Sequence, residues 1–430
     1  MHETTAIRTE TREELVALLY EAAELEHGLC CSYLFTAFSL RAGDDPGLDD
    51  AQRESVARWR VQILDVAKEE MLHLALVSNL LTALGAAPHM GRPPFPQQSR
   101  YYPAGITIGL RRFDERTLTR FVHLERPEGV GIEDDVDGDP ALDSSSPDPG
   151  TPPGALREGE RDAATVPDDR RLTTVGELYQ AIEDGFEHLV DLRGEDAVFI
   201  GAPAVQAAPD DLGFADLVPV TDLATAREAL RLLVEQGEGV RGDWEDAHYG
   251  TFLRMREELR DAQRADPAFD PAWPVLENPV ARAQPGVDHG AVVDDELAVA
   301  VMDLFNSSYV LMTSILQRYF AHTDESPEAL RTLAGAAVQV MFSAISPLGG
   351  LLATLPAGGA HPAATAGPSF EIHRVVALVP HRRAAWLTFR ERLEELARFA
   401  DRLAGQGAPP LLHEVGEGLR QASSDLGRHV

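Results

Sequence analysis

The chain has 430 residues, with 38 Lys and Arg against 70 Asp and Glu, a formal net charge of −32. That balance repels nucleic acid and anionic membrane surfaces and favours cationic or neutral partners. A 44% hydrophobic content is enough to bury a core, so global disorder is excluded. The acids are scattered and form no EF-hand loop, so calcium buffering is set aside. The chain opens Met1-His-Glu-Thr-Thr, without an apolar segment behind basic residues, and no uninterrupted apolar run approaches the ~18 residues of a membrane span. A cytoplasmic chain with no membrane partner is expected. Cys30 and Cys31 are adjacent, poorly placed to bridge each other, and read as small buried apolar residues in a reducing compartment.

The first expected helix runs over 12–40, with Leu15, Leu19, Ala22, Glu26, Leu29 and Tyr33 on one seam in steps of three and four. Arg41-Ala-Gly-Asp-Asp-Pro-Gly breaks it. The second runs over 50–84 on Trp59, Ile63, Val66, Glu70, His73, Val77, Leu80 and Leu84, and Gly85 ends it. The two should form a long antiparallel hairpin. Residues 86–126 read as irregular or short extended segments that complete a first unit over 10–126. Residues 127–170 hold 13 acids, 3 arginines and 13 Pro plus Gly, and read as a mobile acidic insertion. Helical spacing returns over 174–191, then over 221–238 and 245–260 as a pair joined by Gly239-Val-Arg-Gly-Asp. An apolar helix is expected over 295–320 and another over 327–348, closing a second unit over 171–350. A Gly/Pro/Ala loop over 356–369 and a helix over 384–403 make the C-terminal part, 351–430. The fold class is mainly α: a ferritin-like four-helix bundle with additional helices and long irregular insertions.

An acid in a core seam is costly to bury unless it is paired, protonated or bound to a cation. Glu26 holds such a place on the first helix. Glu70 and His73 hold two successive ones on the second, and their i to i+3 step sets a carboxylate beside an imidazole. Glu245-Asp-Ala-His248 repeats the spacing on a seam that continues through Phe252, Met255 and Leu259. Folding the preceding helix back through its glycine-rich turn puts Glu238 opposite Glu245 and Glu235 opposite His248. Glu238 lies nearer the apolar stripe and is preferred, with Glu235 kept. One Glu, Glu-x-x-His, one Glu, Glu-x-x-His on four helices is the constellation of di-iron and di-manganese carboxylate bundles. Carboxylates bridge two ions, and one imidazole per ion leaves positions open for dioxygen. The metal set is therefore Glu26, Glu70, His73, Glu235, Glu238, Glu245 and His248.

The plain alternative is a satisfied buried ion-pair network. A bare Glu-x-x-His is weak in a Glu-rich chain with 14 His, and a third copy, Glu24-Leu-Glu-His27, lies off its seam and reads as a solvated face. Tyr33 reads as core packing before a redox tyrosine. Glu183, Glu187 and His188 read as surface, and His361, His373 and His381 as unpatterned loop histidines. No dinucleotide glycine motif after a strand, no P-loop, no Gly-x-Ser-x-Gly and no Cys-x-x-Cys occurs.

Several segments carry a resemblance. They are Glu24-Leu-Glu-His-Gly-Leu-Cys-Cys-Ser-Tyr-Leu, Lys68-Glu-Glu-Met-Leu-His-Leu-Ala-Leu-Val-Ser-Asn-Leu-Leu, Glu235-Gln-Gly-Glu-Gly, His248-Tyr and Ala366-Gly-Pro-Ser-Phe-Glu371. Together they resemble the ferritin-like domain of iminophenyl-pyruvate dimer synthases over about residues 10–400, without the acidic insertion. The resemblance implies metal ligation at Glu26, Glu70, His73, Glu238 and His248. It also implies a place in secondary metabolism beside the violacein and indolocarbazole enzymes, which couple two imines of aromatic amino acids. An amino-acid oxidase would then be a pathway partner, and haem an alternative to iron, since some relatives are described as haem proteins. The expectation is an iron- and dioxygen-dependent oxidoreductase holding one or two iron ions. Its substrate would be a small amino-acid-derived or aromatic molecule, and the chain could act as a homodimer. A non-catalytic iron-binding or structural protein is the alternative.

Overall fold

The computed structural model describes residues 9–41, 45–97, 107–127, 174–239, 244–283, 291–321, 323–373, 377–406 and 408–429. The insertion expected over 127–170 lies outside them, save Pro127.

Two helices organise the chain. α1 (Arg12–Ser39) starts on a capping box between Thr11 and Glu14, and α2 (Asp50–Ala83) on one between Asp49 and Gln52. Arg12 reaches the Leu84 carbonyl, Glu26 meets Glu70 and His73, and Arg60 reaches the Leu40 carbonyl. That register makes the pair antiparallel. Its seam buries Leu15, Leu19, Trp59, Ile63, Val77 and Leu80, each such side chain contributing about 1.5–3 kcal/mol relative to exposure.

Two further pairs flank the hairpin. α3 (Glu115–Leu124) packs on α8 (His248–Ala265), and α4 (Val175–Arg193) packs on α7 (Leu223–Gly237). The short turns α5 (Glu195–Val198) and α6 (Pro209–Leu212) lead from α4 to α7. Asp114, Thr174 and Asp222 cap the starts of α3, α4 and α7 with side-chain oxygens. Residues 86–126 are therefore not wholly irregular: Asp114 caps a ten-residue helix on which Leu118, Phe121 and Leu124 are buried. α8 begins at His248 rather than at 245, because 244–247 is spent on a turn in which the Ala247 N–H donates to the Trp244 carbonyl. Gly250 must lack a side chain there, since a Cβ would meet the Trp244 carbonyl oxygen at 2.0 Å.

A second helical layer rests on the hairpin. It comprises α9 (Glu296–Phe320), α10 (Pro327–Val340), a π turn over Met341–Ile345, α11 (Ser346–Leu352), α12 (Arg382–Gly405) and α13 (Leu411–Leu426). α9 and the Pro327–Leu352 run are long and apolar enough to cross a membrane, but they pack on each other and on α12 and α13. The C-terminal part carries two helices paired as a hairpin, where one was expected. Among the described residues there is no sheet, only isolated bridges such as Gln97 with Ile108. The mainly α, ferritin-like class expected from the sequence is the one observed.

Candidate metal centre

Halfway along the hairpin the core turns polar. Glu26 on α1 and Glu70 and His73 on α2 are all buried, with His73 Nδ1 at 3.2 Å from Glu26 Oε2 and 3.3 Å from Glu70 Oε2. His248, the first residue of α8, brings Nδ1 to 3.1 Å from Glu70 Oε1. A fifth residue joins them: Glu125, the residue that ends α3, whose Oε2 lies 3.6 Å from the same Nδ1. Two groups of buried donors result, Glu26–Glu70–His73 and Glu70–Glu125–His248, each with ligand atoms within 4.8 Å of one another. Glu70 belongs to both.

A layer of partners holds these side chains. Tyr179 of α4 donates to Glu26, and Tyr33 of α1 donates to Glu125. His73 Nε2 meets Gln236 Oε1 at 2.9 Å, and His248 Nε2 meets Glu69 Oε2 at 2.7 Å. Cys30, one turn after Glu26, is buried nearby. Burial, then Cys31, Glu70 and Glu26, pushes its thiol well above the usual range, so it is an inert packing group.

Four of the seven sequence candidates, Glu26, Glu70, His73 and His248, meet in this cluster. The other three stand apart from the two ligand groups. Glu238 closes the end of α7 and lines the adjoining cavity, but its Oε1 accepts the Gly176 N–H of α4 at 2.6 Å. A Cβ on Gly176 would lie 2.6 Å from that oxygen, so a side chain there would displace the Glu238 carboxylate. Glu235 sits on the outer face of α7, ion-paired to Arg231. Glu245 is exposed in the turn before α8, so Glu245 and His248 do not share a helical face. In this structure the fifth residue of the cluster is Glu125, which the sequence reading did not single out. The signal available for it was Asp114 as a cap and the three-residue spacing of Leu118, Phe121 and Leu124, with Glu125 directly following.

The electrostatics describe a site short of positive charge. Burial, then the charge of Glu70, pushes the Glu26 carboxyl up to about 8. Burial opposes the ionisation of Glu70 too, but the hydrogen bond with Glu26 and the charge of His73 hold it well below the usual carboxylate range. Burial would discharge His73, yet Glu70 and the hydrogen bonds to both carboxylates carry it up to about 10. His248 is likewise raised well above its usual value against burial, by Glu125, Glu69 and Glu70. Every ion pair of Glu26, Glu70 and Glu125 among the described residues is to a histidine, never to arginine or lysine.

Three observations fit a cation. His248 Nδ1 is buried and has no hydrogen-bond partner of acceptable geometry, although two carboxylates flank it. The donors are carboxylate oxygens and imidazole nitrogens, the set that iron, manganese or zinc accepts. A cavity of about 20 Å³, lined by Glu26, Glu70, His73, Glu125, Tyr179 and Glu238 among others, adjoins them. That is room for an ion or one water.

The opposite face of α1 carries a second polar knot. His27, read as solvated from the sequence, is buried. Its Nε2 meets the Tyr309 hydroxyl, which also lies 3.3 Å from Cys31 Sγ and 3.4 Å from Arg92 Nε. Arg92 reaches the Phe370 carbonyl as well. Phe370 takes φ 49, held by Asn306, Ser369 and Glu371, which hydrogen-bond one another.

The Ferritin-like family matches residues 19–257, more than half of the chain. The chain belongs to the ferritin-like family. Among curated relatives, this ferritin-like chain is 29% identical over 440 aligned positions to dichlorochromopyrrolate synthase of Lentzea aerocolonigenes. That match covers 92% of this chain and 40% of the relative. It is 28% identical over 388 positions to 2-imino-3-(indol-3-yl)propanoate dimerase of Chromobacterium violaceum, covering 84% of this chain and 34% of that one. The ferritin-like chain thus spans between a third and two fifths of the length of these relatives. A crystal structure of a ferritin-like protein from Caulobacter vibrioides matches at TM-score 0.47 and 16% identity, over 85% of this chain and 100% of that one. The relatives match the iminophenyl-pyruvate dimer synthase resemblance of the sequence, and by their names are dimerases and synthases of secondary metabolism.

Proposed function

We propose that this ferritin-like chain is an iron-dependent oxidoreductase of secondary metabolism acting on a small amino-acid-derived or aromatic substrate. Oxidative coupling of two aromatic imines is the first reaction to test. One observation carries the reading: two buried carboxylate–imidazole groups share Glu70 and border a cavity. Glu26, Glu70 and His73 would hold one ion, and Glu70, Glu125 and His248 a second. Iron held there would supply electron transfer to dioxygen, the acceptor needed because joining two imines through a carbon–carbon bond removes two electrons and two protons.

The chain's own residues prepare that chemistry. Tyr179 and Tyr33 hold Glu26 and Glu125 in place. Leu29, Val175, Leu233 and Val234 give the cavity an apolar wall. Glu238, fixed by the Gly176 N–H, gives the cavity wall a carboxylate able to take up a proton. The relatives' names support the substrate class: one dimerises an indolyl imino acid, and the other makes a dichlorochromopyrrolate. An amino-acid oxidase would supply such an imine.

A second reading, a non-catalytic iron-binding protein, is favoured by the cavity's size, since about 20 Å³ admits no aromatic ring. One experiment separates the two. Protein made with iron supplied is assayed for metal and for a Soret band. It is then mixed with an amino-acid oxidase, an aromatic amino acid and dioxygen, and dimeric products are sought by mass spectrometry. Bound non-haem iron with an imine dimer absent from the Glu70→Ala control supports the enzyme. Bound iron without turnover supports the second reading, a Soret band assigns haem, and no iron removes the metal reading.

A further inference from the structure

The two imidazoles of the centre present the same atom to the carboxylates and the same atom to an outer partner. His73 turns Nδ1 to Glu26 and Glu70, and Nε2 to Gln236 Oε1 at 2.9 Å. His248 turns Nδ1 to Glu70 and Glu125, and Nε2 to Glu69 Oε2 at 2.7 Å. Both outer oxygens accept, so each Nε2 keeps its proton, and each Nδ1 faces the carboxylates as the atom that would meet a cation once its own proton is displaced. The terminal carboxylates are matched as well, since Tyr179 donates to Glu26 and Tyr33 to Glu125. The two halves therefore differ behind their imidazoles: an amide stands behind His73 and a carboxylate behind His248.

We propose that Glu69 and Gln236 are positioning residues that rank the two cation positions, so that Glu70–Glu125–His248 fills before Glu26–Glu70–His73. The ranking rests on the metal reading above. A carboxylate on the Nε2–H shifts electron density towards Nδ1 and adds a negative charge close to the ion, whereas an amide adds no net charge. Glu69 is part-exposed, its side chain at 42%, so solvent screens this charge but leaves the hydrogen bond. Two motif residues that are not ligands, one beside Glu70 and one beside Glu235, thereby acquire a role.

The test uses the full chain stripped with a chelator and titrated with Co(II) against a chromophoric competitor. Wild type should take two ions in separate steps, the tighter one kept in Glu26→Gln and lost in Glu125→Gln. Glu69→Gln keeps the side chain's shape at a part-exposed position and should weaken the tighter step by roughly 10–100-fold while leaving the other. Gln236→Glu should tighten the weaker step. The double variant should reverse the order, so that its tighter step survives Glu125→Gln and not Glu26→Gln. A purely structural role would weaken both steps together and reverse nothing. Equal affinities in wild type, or a tighter step unmoved by Glu69→Gln, overturn the ranking and leave the metal reading standing. No bound cobalt at all overturns both.

Discussion

His248 Nδ1 lies 3.1 Å from Glu70 Oε1, yet no hydrogen bond joins them. The same nitrogen lies 3.6 Å from Glu125 Oε2. The nitrogen stands at ion-pair distance from two carboxylates, an arrangement that fits the shared cation proposed above.

The shared position of Glu70 predicts unequal losses. Glu70→Ala should remove both ions, Glu26→Gln one, and Glu125→Gln the other, measured as metal per chain by mass spectrometry. Glu235→Ala and Glu245→Ala, both away from the cluster, should keep full metal content and shift stability by no more than about 0.5 kcal/mol.

Protons should compete with the ion. In the cation-free protein Glu26 sits at about 8 and His73 at about 10, so near neutrality both carry protons that an ion must displace. Apparent affinity for Co(II) should rise with pH, by up to about tenfold per unit for each proton displaced. The sign for stability is opposite. Both folded values lie above the unfolded ones, so these groups stabilise the cation-free protein fully at low pH. That contribution is lost as pH rises, from 4.5 to about 8 for Glu26 and from 6.5 to about 10 for His73. Thermal melts of stripped protein should fall across that window, and added metal should restore them.

Gly176→Ala should force Glu238 out of place, because the new Cβ would meet its carboxylate at 2.6–2.9 Å. A cost of about 1–3 kcal/mol is expected from overpacking. It should shrink when combined with Glu238→Ala, a non-additive pair in urea unfolding.

The second layer has its own ionic anchor. Arg318 is fully buried, paired with Glu325 at 2.6 Å and bonded to the Val379 and Pro380 carbonyls. Glu325 also accepts from Trp386 and Arg382. Arg318→Ala should cost about 3–5 kcal/mol, because it leaves a buried carboxylate short of a partner. Denaturant unfolding of the full chain measures it.

Much of the architecture was legible because long helices write themselves as seams. Glu26, Glu70 and His73 stood out as ionisable groups on rows that otherwise read Leu, Val and Trp, and their hairpin register follows from helix length alone. Glu125 was missed because its signal, a cap at Asp114 and one short apolar row, spans only ten residues inside a segment that otherwise reads as irregular. Glu245 misled for a related reason. The spacing Glu-x-x-His implies a shared face only within a helix, and the chain spends 244–247 on a turn. Glu238 and Glu235 were weighed by their closeness to an apolar stripe. The deciding contact, an N–H of α4, lies 62 residues away in sequence and cannot be read from spacing. His27 was misjudged because its partner Tyr309 comes from a helix far along the chain.

Glu26, Glu70 and His73 lie within long helices, whereas Glu125 closes α3 and His248 opens α8. Helix ends fray before helix middles do. The proposed centre therefore joins the rigid middle of the hairpin to two helix ends, and loading with metal should change amide exchange around 125 and 248 more than in the hairpin.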